Sequence, residues 1–332
     1  MKKIGILTFF EADNYGALLQ CYALSHYCKK NNNIVKIIRY NSTKMFSLKY
    51  QLKKFFFKSK QQMRFIKNRK KYFKTGTIEE SYDLVIVGSD QVWNPQIIKG
   101  DKFWINPQIK YNNLISYAAS FGKNDLNEEE STWFRKLNFD TYQGISVREQ
   151  QGQKILGDLG IPSELVCDPT LLYYNDSSIF DSLSVDSNLT IEYDYIFLYS
   201  LEYSVELENI AQNLSEKSGL KVLACHPAND NHFLNSDFIM NTDITDFLYL
   251  ISNAKYVVTN SFHGLAFSFI FRKEVYCICH SLYGIRQRNL IEFSGMGYLK
   301  LSDTAYYINN YENDKYLLQY IEDSKRYIDK FI

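Results

Sequence analysis

Short apolar runs closed by turn residues alternate along this chain with segments whose apolar positions recur at helical spacing. In the first half, runs beginning at Ile4, Ile34, Asp83, Leu114 and Gly144 predict strands, while residues 17–30 and 127–138 predict helices. The second half repeats the style. Runs from Tyr195, Lys221, Lys255 and Glu274 predict strands, with helices over 205–218, 245–254, 264–271 and 286–293. This order predicts an α/β fold with mostly parallel sheets. Residues 173–194 are polar and rich in Ser, Asp and Asn, which predicts a linker between an N-terminal domain over 1–172 and a C-terminal domain over 195–310. Residues 311–332 predict a closing amphipathic helix. Two such domains in tandem predict a ligand cleft between the carboxyl ends of two sheets.

The 332 residues are 45% apolar and 23% charged, which excludes a disordered tail and leaves ample core for two domains. The net charge of +1 argues against a nucleic-acid partner held by bulk charge. That average conceals an asymmetry. Residues 14–78 carry 16 Lys/Arg and no Asp or Glu, leaving 22 basic against 37 acidic residues elsewhere. The six cysteines are scattered through apolar segments, as expected of reduced, buried thiols in a cytoplasmic protein. Glu11 and Asp13 interrupt the first apolar run too early for a signal-peptide core, and no apolar stretch approaches the roughly 20 residues of a membrane span.

Candidate chemistry lies where strands end. After the first strand, Asn14, Tyr15 and Gly16 open a helix; Asn14 suits a helix cap or a ligand contact equally, and Gly16 allows close backbone approach. After the run from Asp83 come Ser89, Asp90 and Trp93, where Asp90 suits a general base or a sugar-hydroxyl ligand. Arg148 follows the strand from Gly144, in position to bind a carboxylate or phosphate or to pair with Glu149. Asn260, Ser261, His263 and Gly264 follow the strand that ends at Thr259, which places His263 near a helix N-terminus. Arg286 and Arg288 open a later helix as further anion ligands or as a solvated turn. Neither a dinucleotide fingerprint nor a P-loop occurs, and Cys225, His226, His232, Cys277, Cys279 and His280 match no zinc-site spacing.

The blocks ILTFFEADNYGALLQCYAL, DLVIVGSDQVWNP, SYAASFG, ISVREQQG, CDPTLL, YVVTNSFHGLAFSFIF and IRQRNLIEFSGMG, in this order, resemble the polysaccharide pyruvyl transferase family. The resemblance implies a GT-B-like pair of Rossmann-like domains facing a central cleft, the N-terminal one on the acceptor side. It implies transfer of the enolpyruvyl group of phosphoenolpyruvate onto two hydroxyls of one sugar in a surface or capsular polysaccharide precursor. The products are a cyclic pyruvate ketal and phosphate, with phosphoenolpyruvate as co-substrate and no cofactor or metal. His263 matches the family's general acid, Asp90 is the candidate base, and Arg148 and Arg288 fall in donor-binding blocks, to which Asn260, Ser261, Gly264 and Arg286 are added. Asn14, Tyr15, Gly16, Ser89, Asp90 and Trp93 are expected to meet the acceptor. Well-studied family members carry an Arg two residues before the histidine; here that residue is Ser261, so the guanidinium is expected either to be missing or to come from elsewhere, with Arg286 and Arg288 as the candidates. The basic insertion over 44–74 interleaves cations with Phe, Leu, Ile and Tyr. Its stretch 45–73 is expected to lie on the inner face of the cytoplasmic membrane, where a lipid-diphosphate-linked saccharide would be presented. A sugar-nucleotide glycosyltransferase and a non-catalytic glycan- or lipid-carrier-binding homologue are the competing readings.

Overall fold

The computed structural model describes residues 1–40, 59–231, 233, 235–279 and 284–332. The first sheet contains β1 (Lys3–Leu7), β2 (Ile34–Ile38), β3 (Thr75–Gly76), β4 (Ser81–Val87) and β5 (Lys110–Ser116), all parallel in the order β3-β2-β1-β4-β5. Single bridges from Ile115 to Gly144 and from Ala119 to Val147 carry the sheet on to the short pair β6 (Ser146–Val147) and β7 (Glu164–Leu165). The run from Gly144 is therefore shorter as a strand than its composition predicts.

The second sheet holds β8 (Tyr195–Tyr199), β9 (Lys221–Cys225), β10 (Asp237–Phe238), β11 (Tyr256–Thr259), β12 (Glu274–Ile278), β13 (Gly297–Lys300) and β14 (Ala305–Asn310). Its order is β10-β9-β8-β11-β12-β14-β13. β14 runs antiparallel to both β12 and β13. Hydropathy does not reveal β13 because all four of its residues are exposed. The central strands β8 and β11 are buried almost throughout, as strands covered on both faces must be.

The halves share one core. The Tyr15 ring, fully buried, stacks on Phe65 at 5.6 Å and on Phe247 at 5.1 Å, and its hydroxyl lies 2.6 Å from the Thr242 hydroxyl. The helix Lys60–Tyr72 reinforces this junction. Ser59 and Gln62 form a capping box at its start, which satisfies two otherwise orphaned backbone donors. One turn along, Arg64 donates to Asp243 at 2.9 Å and pairs with Asp246 at 2.7 Å, while Gln61 donates to the Thr242 carbonyl at 2.6 Å. Those acids cap the helix Ile244–Asn253 of the second domain. The described part of the basic window therefore ties the domains together, with Phe65 in the core instead of on a free amphipathic face. The rest of that insertion, 41–58, lies outside the described residues.

Residues 173–194 are more structured than a polar linker requires. They contain the helix Ser178–Ser184, which buries Ile179, Phe180 and Leu183. The final helix, Lys315–Asp329, crosses back to the first domain: Tyr327 donates to the Ser116 carbonyl at 2.9 Å, and the Cys167 amide donates to Ser324 Oγ at 2.8 Å. No described helix is long and apolar enough to cross a membrane.

Candidate functional site

The centre of the cleft is a buried guanidinium among carboxylates. Arg148 leaves the end of β6 with its side chain 2% exposed, donating through Nη1 to Asp168 Oδ2 at 2.7 Å and through Nε to Glu149 Oε1 at 3.1 Å. Its Nη2 lies 3.7 Å from Asp90 Oδ1 and has no hydrogen-bond partner. Burial opposes the charge on Arg148, but the carboxylates of Glu149, Asp168 and Asp90 outweigh it and keep the group firmly cationic. Asp90 sits just past β4 with φ of 76°, a left-handed conformation that Asp tolerates better than most residues.

His263 approaches from the other sheet. β11 ends at Thr259, whose hydroxyl donates to the Tyr199 carbonyl and accepts the Ser261 amide at 3.0 Å; Ser261 then caps the helix Phe262–Ile270. Gly264 packs so closely on Thr259 that a Cβ there would lie 2.3 Å from its hydroxyl oxygen. This tight corner fixes His263 on the first helical turn. Its Nε2 is 3.7 Å from Asp168 Oδ2, within ion-pair range but beyond hydrogen-bond distance, and is buried without a hydrogen-bond partner. Its other edge faces the first domain, where a Cβ on Gly16 would fall 2.1 Å from Nδ1. Burial by itself would raise the Asp168 carboxyl, yet His263 and Arg148 hold it well below the usual carboxylate range.

Arg286 joins from the helix Ile285–Ser294. The Phe262 ring carries Arg148 at 5.0 Å and Arg286 at 6.0 Å. Among the described residues Arg286 makes no ion pair or side-chain hydrogen bond. Burial and the nearby Arg148 push its guanidinium below the ordinary value. An adjoining recess is lined by Arg148, Asp168, Phe262, Arg286, Leu290 and Tyr320, among others. Together these groups set two guanidiniums among three carboxylates, with the His263 imidazole against the same Asp168 oxygen that accepts from Arg148.

A family model for polysaccharide pyruvyl transferase matches residues 14–281, more than half of the chain. The chain belongs to the polysaccharide pyruvyl transferase family. Its family match takes in Gly16, Asp90, Arg148, Asp168 and His263 and stops before Arg286 and Tyr320. Comparison with curated proteins finds no match. Among solved structures, the UDP-GlcNAc 2-epimerase of Methanocaldococcus jannaschii is similar at 14% identity and a TM-score of 0.51, over 97% of this chain and 92% of that one. The UDP-GlcNAc 2-epimerase of Neisseria meningitidis bound to UDP-GlcNAc is similar at 13% identity and a TM-score of 0.45, over 99% of each chain. An E. coli heptosyltransferase with ADP-2-deoxy-2-fluoro heptose follows at 10% identity and 0.40, over 97% and 99%. This pyruvyl transferase family member is thus GT-B-like, as its two mostly parallel sheets indicate.

The remaining residues singled out from the sequence divide into three groups. His263, Asp90, Arg148, Gly16 and Arg286 converge on the cleft. Asn14, Asn260, Ser261 and Gly264 shape it: Asn14 caps the helix Tyr15–Cys28, and Asn260 holds Ser200 through its side chain and Gln287 through its carbonyl at 2.7 Å. Tyr15, Trp93 and Arg288 point elsewhere, and Ser89 is buried with its hydroxyl unpartnered among the described residues. Tyr15 is core, and Trp93 is fully buried with its indole donating to the Trp104 carbonyl at 3.2 Å, so neither ring offers a face to an acceptor. Ser89 is buried and gives its carbonyl to Thr8. Arg288 sits apart from the recess, near enough to Lys300, Asp303 and Tyr306 to influence their charges.

Asp168 and Tyr320 belong to the site without having been identified from the sequence. Asp168 follows an apolar run directly and precedes a proline, a strand-end acid of the same kind as Asp90. Tyr320 had no such signal, because the final helix delivers it from far along the chain. Cys225, Cys277 and Cys279 are buried, and His232 and His280 lie outside the described residues.

Proposed function

We propose that this chain transfers the enolpyruvyl group of phosphoenolpyruvate to two hydroxyls of one sugar in a surface or capsular polysaccharide precursor, forming a cyclic pyruvate ketal. The observation that carries this reading is the pair of buried nitrogens, Arg148 Nη2 and His263 Nε2, left without hydrogen-bond partners on either side of Asp168. A bound anion would satisfy both donors at once.

In this reading the donor's carboxylate and phosphate lie against Arg148 Nη2 and Arg286. His263 delivers a proton to C3, which makes C2 electron-poor, and the first sugar hydroxyl attacks C2 as Asp90 takes its proton. Breaking the C2–O bond releases phosphate, and the second hydroxyl closes the ketal on the same carbon. The protons balance: Asp90 passes the first hydroxyl's proton to the departing phosphate and the second hydroxyl's proton returns to His263, so that one proton ends in the new methyl group and one leaves with phosphate. Glu149, accepting from Ser120 at 2.7 Å and from Arg148, keeps the guanidinium in place through the cycle.

The acceptor is proposed to be lipid-diphosphate-linked and met at the inner face of the cytoplasmic membrane. The contact is electrostatic, through the exposed Lys60, Lys67 and Lys70 of the helix Lys60–Tyr72, since Phe65 is occupied in the core. Co-sedimentation with anionic vesicles at low salt, lost when these lysines are neutralised, is the expected result.

The decisive assay is phosphate release from phosphoenolpyruvate in the presence of saccharide acceptor. His263→Ala is expected to lower it by about 100-fold or more. Binding of a sugar nucleotide without binding of phosphoenolpyruvate would overturn the reading in favour of a glycosyltransferase, and binding of glycan without phosphate release would favour a non-catalytic role.

A further inference from the structure

We infer that Asp168 is the positioning residue of this site, a single carboxylate that orients both the guanidinium that holds the donor and the imidazole that protonates it. The inference rests on the roles just proposed for Arg148 and His263.

The two oxygens of Asp168 have separate tasks. Oδ1 accepts from the Thr170 amide at 3.0 Å and from the Thr170 hydroxyl at 2.8 Å, in the turn that opens the short helix Pro169–Tyr173. Rotating the carboxylate would break both of these bonds. Oδ2 is thereby aimed at Arg148 Nη1, 2.7 Å away, and at His263 Nε2, 3.7 Å away. The carboxylate is fully buried. A turn that needed only a cap would be served by Oδ1 alone, and an ion pair that needed only charge would not require the Thr170 hydroxyl. Because Arg148 belongs to the first domain and His263 to the second, Asp168 also sets the distance between groups that no single sheet could register.

The experiment exploits a difference in sign. Removing a negative charge beside an anion site strengthens anion binding by simple Coulomb reasoning, whereas removing a positioning group weakens it. Binding of phosphoenolpyruvate to the full chain is measured by titration calorimetry for the wild type, Asp168→Asn, Thr170→Val and Thr170→Ser, with thermal melts in parallel. Asp168→Asn is expected to weaken binding by about tenfold, in keeping with loss of a charge-assisted hydrogen bond. Thr170→Val, which alters no charge, is expected to weaken it by about threefold, and Thr170→Ser, which keeps the hydroxyl, to bind like the wild type.

A purely structural role would lower the melting temperature and the fraction of competent molecules but leave the affinity of the folded ones unchanged. Affinities for Asp168→Asn and Thr170→Val equal to or tighter than wild type overturn the inference while leaving the proposed donor intact. If Asp168→Asn does not fold, the Thr170 pair decides alone. Failure of the wild type to bind phosphoenolpyruvate overturns the functional reading and this inference with it.

Discussion

Gly16→Ala tests the cleft geometry with one added methyl group. Gly16 lies in the first turn of the helix Tyr15–Cys28, where alanine is intrinsically preferred by about 1 kcal/mol. The new Cβ would stand 2.1 Å from His263 Nδ1, 2.4 Å from Cγ and 2.6 Å from Cε1. Ordinary contact begins at 3.4 Å, so the ring must withdraw by about 1.3 Å. It cannot do so freely, with Asp168 at 3.7 Å from Nε2 and the Phe262 ring edge-on at 5.3 Å. Overpacking costs about 1–3 kcal/mol, which the helix gain partly offsets, so net stability is expected to fall by less than about 2 kcal/mol. Displacing a proton donor by about 1 Å is expected to lower turnover by about 100-fold. A denaturant melt and a phosphate-release assay on the same preparation separate these effects. Turnover within about threefold of wild type would refute the placement of His263 as the proton donor.

Arg286→Ala is expected to weaken phosphoenolpyruvate binding by about tenfold or more, while Arg288→Ala, which lies away from the recess, leaves it unchanged; calorimetry distinguishes the two. Arg64→Ala removes the partner of Asp243 and the deeply buried Asp246 and is expected to cost about 2 kcal/mol in a denaturant melt. Acid should destabilise the protein through Asp168, whose carboxyl His263 and Arg148 hold below its ordinary 3.8 against the opposing effect of burial. A depressed carboxyl contributes stability that is fully present above its unfolded value and lost as pH falls through the folded one, so melting temperature should drop below about pH 4. Asp168→Asn should flatten that slope.

The elements that were legible in the sequence are those whose signal is local. Strand ends that deliver Asp90, Arg148 and His263 are marked by a polar residue straight after a buried run, and an open α/β sheet puts such residues at its carboxyl edge. Aromatic residues beside those motifs misled. Tyr15 and Trp93 flank polar loop residues in sequence, but their rings fill the core behind the loops they adjoin. Nothing local shows that the basic helix is an interdomain tie, because Arg64 finds Asp243 across 179 residues. Tyr320 was hidden for the same reason: the final helix returns across the cleft only once both sheets exist. The antiparallel edge strand β13 escaped because an exposed edge strand needs no apolar run.

The contacts around Ser261 set the charge balance of the site, two guanidiniums among three carboxylates. A serine here caps the helix Phe262–Ile270, and it leaves Phe262 to present one ring to two cations. Each cation over an aromatic face gains about 0.5–1 kcal/mol, and more when water is excluded. Burial, and after it repulsion from Arg148, push Arg286 below its ordinary value, while Glu149, Asp90 and Asp168 act in the opposite direction. The helix that carries Arg286 is held to the His263 loop by the bond from Gln287 to the Asn260 carbonyl. Asn260 therefore acts as the tether that keeps Arg286 beside the Phe262 ring and Arg148.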